Sequence, residues 1–251
     1  MYISTSNTLT DGNVTITEDA GANPLQYLLN KDFSEIYRSG TSSNFFRIEL
    51  ETDEVGYIGL SGLDVFGKVS KIEIEYWDGV AYVVDGTYSI TSDSTIMHVN
   101  TASMTYTKWR ITFTKILSNS IIGVAYLAAG TCWDVPNGGE ESGYARPWST
   151  PAYKQRTQTN LGMPTAKVIE STGISGTLKF NNISNIDIEE VWVPMQGFAV
   201  VNGVFVVEEE TRGDRGYYCY DCIPSSVKAH SQTRELQNVS MKFSCWTGYV
   251  L

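Results

Sequence analysis

The residues of this sequence best suited to chemistry are its four cysteines and two histidines. Cys219 and Cys222 form a Cys-x-x-Cys pair, which is the spacing of half a zinc site or of a redox dithiol. No second Cys-x-x-Cys pair is present, and His98 and His230 are isolated in the sequence. Residues three apart on a strand point to opposite faces, so we expect these two thiols to diverge. Unpaired structural thiols are therefore favoured, with a metal site or a disulfide as open alternatives.

Acidic side chains offer two further kinds of site. The acids between residues 134 and 141 supply the clustered oxygens that Ca²⁺ prefers. Glu73 and Glu75 share one face of a predicted strand, as the carboxylate pair of a glycosidase might require. Lys71 lies on the same face, which favours an ordinary solvated charged surface. We therefore predict no metal and no cofactor.

Catalytic motifs are missing from the sequence. It contains no phosphate-binding loop, no G-x-S-x-G elbow and no H-E-x-x-H helix. Only two histidines are available for acid–base chemistry near neutral pH. We therefore expect a protein that is not an enzyme.

Composition narrows the choice of partner. The chain has 251 residues, with 18 Lys+Arg against 28 Asp+Glu, and a formal net charge of -10. An acidic chain without a basic cluster is poorly suited to bind a phosphate backbone, so no nucleic-acid partner is expected. No apolar run approaches the roughly 20 residues of a membrane span, and no signal peptide is visible at the first residues. We accordingly expect reduced thiols and synthesis in the cytoplasm.

Alternating apolar and charged residues predict strands with one buried and one solvated face. Asp78-Gly79 lies between two such segments and predicts a hairpin, because both residues tolerate positive φ. Residues 55–60 and 121–127 are more continuously apolar, as in central strands. Short strands separated by turns predict a β-sandwich or jelly roll over residues 1–133. The alternating runs are residues 46–50, 72–76 and 109–113.

Residues 134–164 differ in composition from the rest of the chain. They hold four of the seven prolines, which disfavours helix and predicts an extended arm or linker. Large aromatic side chains in such a segment usually need a surface to cover them, so the segment is either a linker or an arm that lies on a neighbouring subunit. The aromatic residues of the predicted assembly arm are Tyr144, Trp148 and Tyr153.

Residues 165–251 predict a second β domain with one short helix. Ser184 and Asp187 have the spacing of a capping box, and apolar residues at helical spacing follow as far as Met195. We expect two or three helical turns that end before Gly197. The segment 198–207, centred on Asn202-Gly203, predicts a β-hairpin.

The first domain resembles the galactose-binding-like, discoidin-type jelly rolls. Relative to that family, Tyr37 replaces the usual Trp and Glu49 the usual Asp. The resemblance implies a carbohydrate-binding site, for which Asp32, Tyr37 and Trp77 are the candidates. The segments that carry it are residues 30–39, 46–50, 55–62 and 108–113.

The C-terminal part resembles the tail-tube-like and distal-tail structural proteins of long-tailed bacteriophages. That resemblance implies a virion tail protein, made in the host cytoplasm, whose copies assemble into a ring. The ring would connect the tail tube to host-recognition proteins, so its partners would be further copies, other tail proteins and host surface glycans. The alternative is a carbohydrate-binding module that recognises surface glycans. The segments involved are residues 176–180, 185–195, 202–203 and 239–243.

Overall fold

The structure is a computed structural model of the chain. The structure describes residues 1–31, 35–53, 55–90, 95–100, 106–136, 152–158, 164–207, 213, 216–225, 228–229 and 236–246. Within these ranges the protein is mainly β, with antiparallel sheets and one long helix, which confirms the predicted fold class. Asp32, Tyr144 and Trp148 lie outside the described residues.

Two sheets form the sandwich predicted for the first part of the chain. The five-stranded sheet contains β2 (Val14–Glu18), β4 (Phe45–Glu51), β6 (Val69–Trp77), β7 (Tyr82–Ser89) and β9 (Lys108–Lys115), in the order β2-β4-β9-β6-β7. The four-stranded sheet contains β3 (Tyr37–Arg38), β5 (Tyr57–Asp64), β8 (Ile96–Val99) and β10 (Gly123–Gly130), in the order β3-β10-β5-β8. A short helix, α1 (Gln26–Leu29), adjoins β10.

The sandwich core consists of the apolar positions of the predicted alternating runs. Phe46, Ile48 and Leu50 of β4 are at most 1% exposed, as are Ile111 and Phe113 of β9. Their charged neighbours point to the other side of the sheet, as period-two alternation requires. The predicted burial of one face of each run is confirmed.

A third sheet holds the remaining strands. These are β1 (Tyr2–Ser4), β11 (Cys132–Asp134), β12 (Ala152–Gln158), β13 (Pro164–Ser184), β14 (Val204–Val207), β15 (Tyr217–Pro224), β16 (Lys228–Ala229) and β17 (Leu236–Trp246). The order is β11-β1-β14-β15-β17-β13-β12, and β16 also pairs with β17. Because β1 pairs with both β11 and β14, strand pairing crosses the predicted boundary at residue 133.

Aromatic residues join the third sheet to the outer face of the four-stranded sheet. Phe205 of β14 packs on Tyr126 of β10 with ring centroids 5.8 Å apart, and on Tyr218 of β15 at 4.9 Å. Both faces of the four-stranded sheet are therefore covered. This explains why all eight residues of β10 are buried, as its continuous apolar sequence predicts.

One helix spans residues 185–202 and covers the other face of the third sheet. It consists of α2 (Asn185–Asp187), a π-helical turn (Ile188–Trp192) and α3 (Val193–Asn202). The predicted cap is confirmed, because the Asp187 backbone N–H donates to Ser184 Oγ at 3.1 Å and Ser184 Oγ donates to Asp187 Oδ2 at 2.7 Å. None of the helices in the described residues is long and apolar enough to span a membrane.

The hairpin predicted over residues 198–207 is wrong. The helix continues through Gly197 to Asn202, because Met195 and Ala199 extend its buried face, each at most 1% exposed. Gly203 then adopts φ 70° and its N–H donates to the Ala199 carbonyl at 2.9 Å, which ends the helix. The Asn-Gly pair does mark a residue with positive φ, but at a helix C-terminus and not in a β-turn.

The described part of the predicted arm contains a strand. Tyr153 belongs to β12, which pairs with residues 164–172 of β13. The assembly role of the arm stays a prediction.

Candidate glycan-binding site

The outer face of the five-stranded sheet carries a row of polar residues that face one another across the strands. Glu49 of β4 lies opposite Thr15 of β2 on one side and Arg110 of β9 on the other. Arg110 in turn lies opposite Glu75 of β6. The row places one cation between two carboxylates, which favours a fixed arrangement of all three side chains.

Glu75 and Arg110 form the rigid centre of this row. Arg110 Nε and Nη2 donate to the two carboxylate oxygens of Glu75 at 2.8 and 2.7 Å, and Thr112 Oγ1 donates to Oε2 at 2.7 Å. Burial raises the pKa of Glu75, but the hydrogen bonds from Arg110 and Thr112 outweigh it and the pKa lies below its usual value. Glu75 is therefore ionised at neutral pH and orients the guanidinium.

Trp77 and Tyr82 form an aromatic pair at one end of the row. They face each other across the predicted hairpin at Asp78-Gly79. The Asp78 carboxylate accepts hydrogen bonds from the backbone N–H groups of Val80 and Ala81 in this turn. Their ring centroids lie 5.1 Å apart with an interplanar angle of 65°. Arg110 lies over the Tyr82 ring at 3.9 Å, so the guanidinium that Glu75 orients also supports this ring.

A small cleft opens beside Tyr82, with a volume of about 120 Å³. Burial raises the pKa of the Tyr82 hydroxyl, and the negative charge of the nearby Glu49 carboxylate raises it further. Lys108 Nζ lies 3.3 Å from Glu51 Oε1 at the solvent side, where both side chains are largely exposed. The residues that line the cleft are Gly12, Asn13, Thr15, Glu49, Leu50, Glu51, Tyr82 and Lys108. The cleft thus combines an aromatic ring with carboxylate, ammonium and hydroxyl groups.

Of the two predicted carbohydrate-site residues that the structure describes, Trp77 lies at this face and Tyr37 does not. Tyr37 is only 2% exposed, stacks on Phe46 with centroids 5.8 Å apart, and accepts the Gly21 N–H at 3.0 Å through its hydroxyl. The ligand-stacking role predicted for Tyr37 does not fit this position, because the ring belongs to the sandwich core. A tyrosine can occupy this core position because its hydroxyl group has a hydrogen-bond partner.

A β-bulge decides which tyrosines of β7 reach this face. Glu75 pairs with Val84, whereas Ile74 pairs with Gly86, so Asp85 is an extra residue in β7. The extra residue inverts the alternation, and Tyr82 points outward while Tyr88 is buried. Sequence alternation alone places Tyr82 and Tyr88 on the same face.

The same bulge explains the position of His98. Its Nε2 lies 2.8 Å from Asp85 Oδ2 and its Nδ1 lies 2.8 Å from the Tyr88 hydroxyl. His98 is 5% exposed, so both ring nitrogens are committed to partners inside the fold. His98 is therefore a buried histidine whose two ring nitrogens both have hydrogen-bond partners.

A second cleft, of about 390 Å³, lies where Lys31 meets the end of the 185–202 helix. Lys31 Nζ donates to the Val201 carbonyl, and the Tyr218 hydroxyl donates to the Asn202 carbonyl. These hydrogen bonds satisfy carbonyl groups at the C-terminus of the 185–202 helix. Lys31 and Tyr218 therefore have a structural role, because they fix the end of this helix. Trp77 is not among the residues that line this cleft.

Acid clusters do not form a metal centre in the described residues. No group of three or more His, Cys, Asp and Glu side chains within those ranges is arranged to hold a metal ion. Glu73 is bound by Lys71 at 2.7 Å and Glu75 is bound by Arg110 at 2.7 Å. Glu75 is only 8% exposed, so the face predicted to be solvated is buried at this residue.

No family model and no curated protein matches the chain. Among solved structures, it is similar to the Clostridium perfringens module CpGH89CBM32-6, with 11% identity, 49% of this chain and 98% of that one covered, and a TM-score of 0.39. The family 32 carbohydrate-binding module of C. perfringens NanJ in complex with galactose aligns at 11% identity, over 46% of this chain and 90% of that one, with a TM-score of 0.37.

A Ruminococcus gnavus GH29 fucosidase in complex with fucose aligns at 9% identity and a TM-score of 0.42, over 51% of this chain. The chain spans only 27% of the fucosidase. Two of these neighbours are family 32 carbohydrate-binding modules and the third is a fucosidase.

Sequence analysis did not assign Glu49, Lys108 and Arg110 to a binding site, although Glu49 was compared with the usual Asp of the resembled family. The available signal is alternation: each is a charged position next to a buried apolar one on a strand of the same sheet. Which strands are neighbours becomes clear only from the sheet order β2-β4-β9-β6-β7.

Proposed function

We propose that the protein binds a carbohydrate at the outer face of the five-stranded sheet. The observation that carries this proposal is the Trp77–Tyr82 pair, held by Arg110 beside a cleft with carboxylate and ammonium groups. Half-buried aromatic rings present flat apolar surfaces that suit the C–H faces of a sugar. A few fixed polar groups beside such a surface give a binding site its orientation and specificity.

The charges of the cleft favour a neutral or amino-substituted sugar over an acidic one. Glu49 and Glu51 contribute two carboxylates, against the single ammonium group of Lys108. The amide of Asn13 is already engaged, because its Oδ1 accepts from Thr10 N at 2.7 Å and its Nδ2 donates to the Thr8 carbonyl at 3.0 Å. Sugar hydroxyls would therefore donate mainly to the two carboxylates.

A glycan array followed by titration calorimetry with the best ligand tests this function. Trp77→Ala and Tyr82→Ala are expected to weaken binding at least tenfold, which corresponds to about 1.4 kcal/mol each. Phe66→Ala is the matched control, because Phe66 is 58% exposed and lies in the turn before β6, at the other end from Trp77. An array without a ligand, or equal affinity for all three variants, contradicts the proposal.

A second candidate function is self-assembly, as the predicted ring requires. Residues 164–172 of β13 pair with β12, and residues 173–184 pair with β17. Within the described residues, each half of this strand therefore has one edge without a neighbouring strand. Open edges can pair with a strand from another copy. Light scattering over a range of protein concentrations tests this candidate, and a chain that stays monomeric at all of them contradicts it.

A further inference from the structure

Three of the four cysteines lie together between the third sheet and the 185–202 helix. Cys219 and Cys222 of β15 and Cys245 of β17 are each at most 3% exposed and belong to one buried cluster. Cys132 lies elsewhere, with its Sγ donating to the Gly56 carbonyl at 3.4 Å. None of the four cysteines forms a disulfide bond in the structure.

Cys219 and Cys222 share a face because β15 is irregular. The expectation that they diverge is wrong, since the pairing of β15 with β17 shifts between Tyr220 and Ile223 and Asp221 has φ 50°. A bulge inverts the alternation, so an i, i+3 pair points the same way. The Cys-x-x-Cys motif is thus a buried pair, but it is not the best-placed pair of thiols.

Cys219 lies directly opposite Cys245 in the register of β15 and β17. Directly opposed residues on antiparallel strands have Cα atoms about 4.5–5.5 Å apart, within the range of about 4.4–6.8 Å seen in disulfides. Cys222 Sγ is turned to the backbone, where it donates to the Cys219 carbonyl at 3.5 Å. The register therefore favours Cys219–Cys245 over Cys219–Cys222.

We propose that Cys219 and Cys245 are a disulfide site, joined when the chain folds in the presence of a small-molecule disulfide. With oxidised glutathione as oxidant, one thiolate attacks the glutathione disulfide and releases one glutathione. The second thiolate then displaces the other glutathione from the mixed disulfide. The protein loses two protons and two electrons, one S–S bond forms, and one glutathione disulfide becomes two glutathione molecules.

Burial determines when this bond forms. Burial raises the pKa of Cys219 well above its usual value and that of Cys222 to about 12. The thiolate is the reactive form, so the folded, reduced protein reacts slowly. We therefore expect the bond to form during folding, while glutathione still has access to Cys219 and Cys245.

Refolding in glutathione buffers tests the site. The full chain is unfolded in denaturant, refolded with either a mixture of reduced and oxidised glutathione or reduced glutathione alone, alkylated, and digested with trypsin. Cleavage after Arg215, Lys228 and Lys242 places Cys219 and Cys222 on one peptide and Cys245 on another. We expect a cross-link between the two peptides after oxidative refolding only.

Single variants identify the cysteine that is used. Cys222→Ser is expected to keep the cross-link and Cys219→Ser to lose it, while Cys132→Ser is a control that keeps it. Four alkylated thiols after oxidative refolding, a loop within the peptide that holds Cys219 and Cys222, or a cross-link that survives in Cys219→Ser would each overturn the proposal.

Discussion

The buried ion pair between Asp19 and Lys115 allows the sharpest test of the fold. Both side chains are fully buried, and Lys115 Nζ donates to Asp19 Oδ2, to the Gly40 carbonyl at 2.8 Å and to the Ser118 carbonyl at 3.5 Å. The other oxygen of Asp19 accepts from Ser42 N and Ser42 Oγ, both at 2.9 Å. The pair thus ties the end of β9 to the loops that precede β4.

Lys115→Met removes the cation and keeps an apolar side chain of similar length. The carboxylate of Asp19 then stays buried with Ser42 as its remaining partner in the described contacts. Breaking a buried pair on one side costs about 3–5 kcal/mol, because a buried charge is left uncompensated. At about 2–4 °C per kcal/mol for a chain of this size, the Tm is expected to fall by about 6–20 °C.

The stability that Lys115→Met loses is expected to depend on pH in a definite direction. Burial raises the pKa of Asp19, but the hydrogen bonds from Lys115 and Ser42 outweigh it, so the pKa in the native protein lies below its usual value. This contribution to stability is present above the unfolded-state pKa and is lost as the pH falls through the lowered native value. Without Lys115, burial instead raises the pKa, so the variant should lose less relative to wild type at pH 4 than at pH 7.

Urea denaturation at both pH values measures these differences. Asp19→Asn/Lys115→Met is the matched control, since it removes both charges and Asn tolerates the φ of 59° at this position. We expect the double variant to recover most of the loss. A single variant within about 1 kcal/mol of wild type refutes the reasoning, as does a double variant no more stable than the single one.

Three further predictions concern single positions. Phe205→Ala should lower the free energy of unfolding by about 3–5 kcal/mol in urea denaturation, because the ring is 1% exposed and fills the space between two sheets. Gly203→Ala should destabilise the protein, because a Cβ would lie 2.4 Å from the Cys219 carbonyl oxygen and the residue has a φ of 70°. Gly197→Ala should instead raise the free energy of unfolding by about 0.5–1 kcal/mol, because the space around Gly197 is open. Equal changes in the Tm of the two variants would contradict this. Glu75→Gln should weaken glycan binding in calorimetry by releasing Arg110 from its place over Tyr82, and unchanged affinity would count against that positioning role.

Local sequence determined the strands, their buried faces and the start of the helix. Ile72 and Ile74 point inward, and Ser184 caps the helix, as alternation and capping chemistry predict. These features depend on neighbours within a few residues, so the sequence is enough to predict them. The turn at Asp78-Gly79 was likewise predicted from local sequence alone.

Long-range contacts decided the rest. Asn202-Gly203 predicts a residue with positive φ, but packing of Met195 and Ala199 on the third sheet makes it a helix end. Single extra residues near Asp85 and Asp221 reverse the side-chain alternation, so Tyr88 turns inward and Cys222 joins Cys219. Bulges of this kind depend on the partner strand and leave no periodic signal.

The order of the strands within each sheet could not be predicted from the sequence either. β1 pairs with β14, about 200 residues away, and Trp77 joins Tyr82, Arg110 and Glu49 only because β7, β6, β9 and β4 lie side by side. The sequence by itself determined which residues form strands and which face of each strand is polar. The tertiary structure alone decided which polar faces meet, because that choice depends on the burial of whole sheets against one another and not on local propensity.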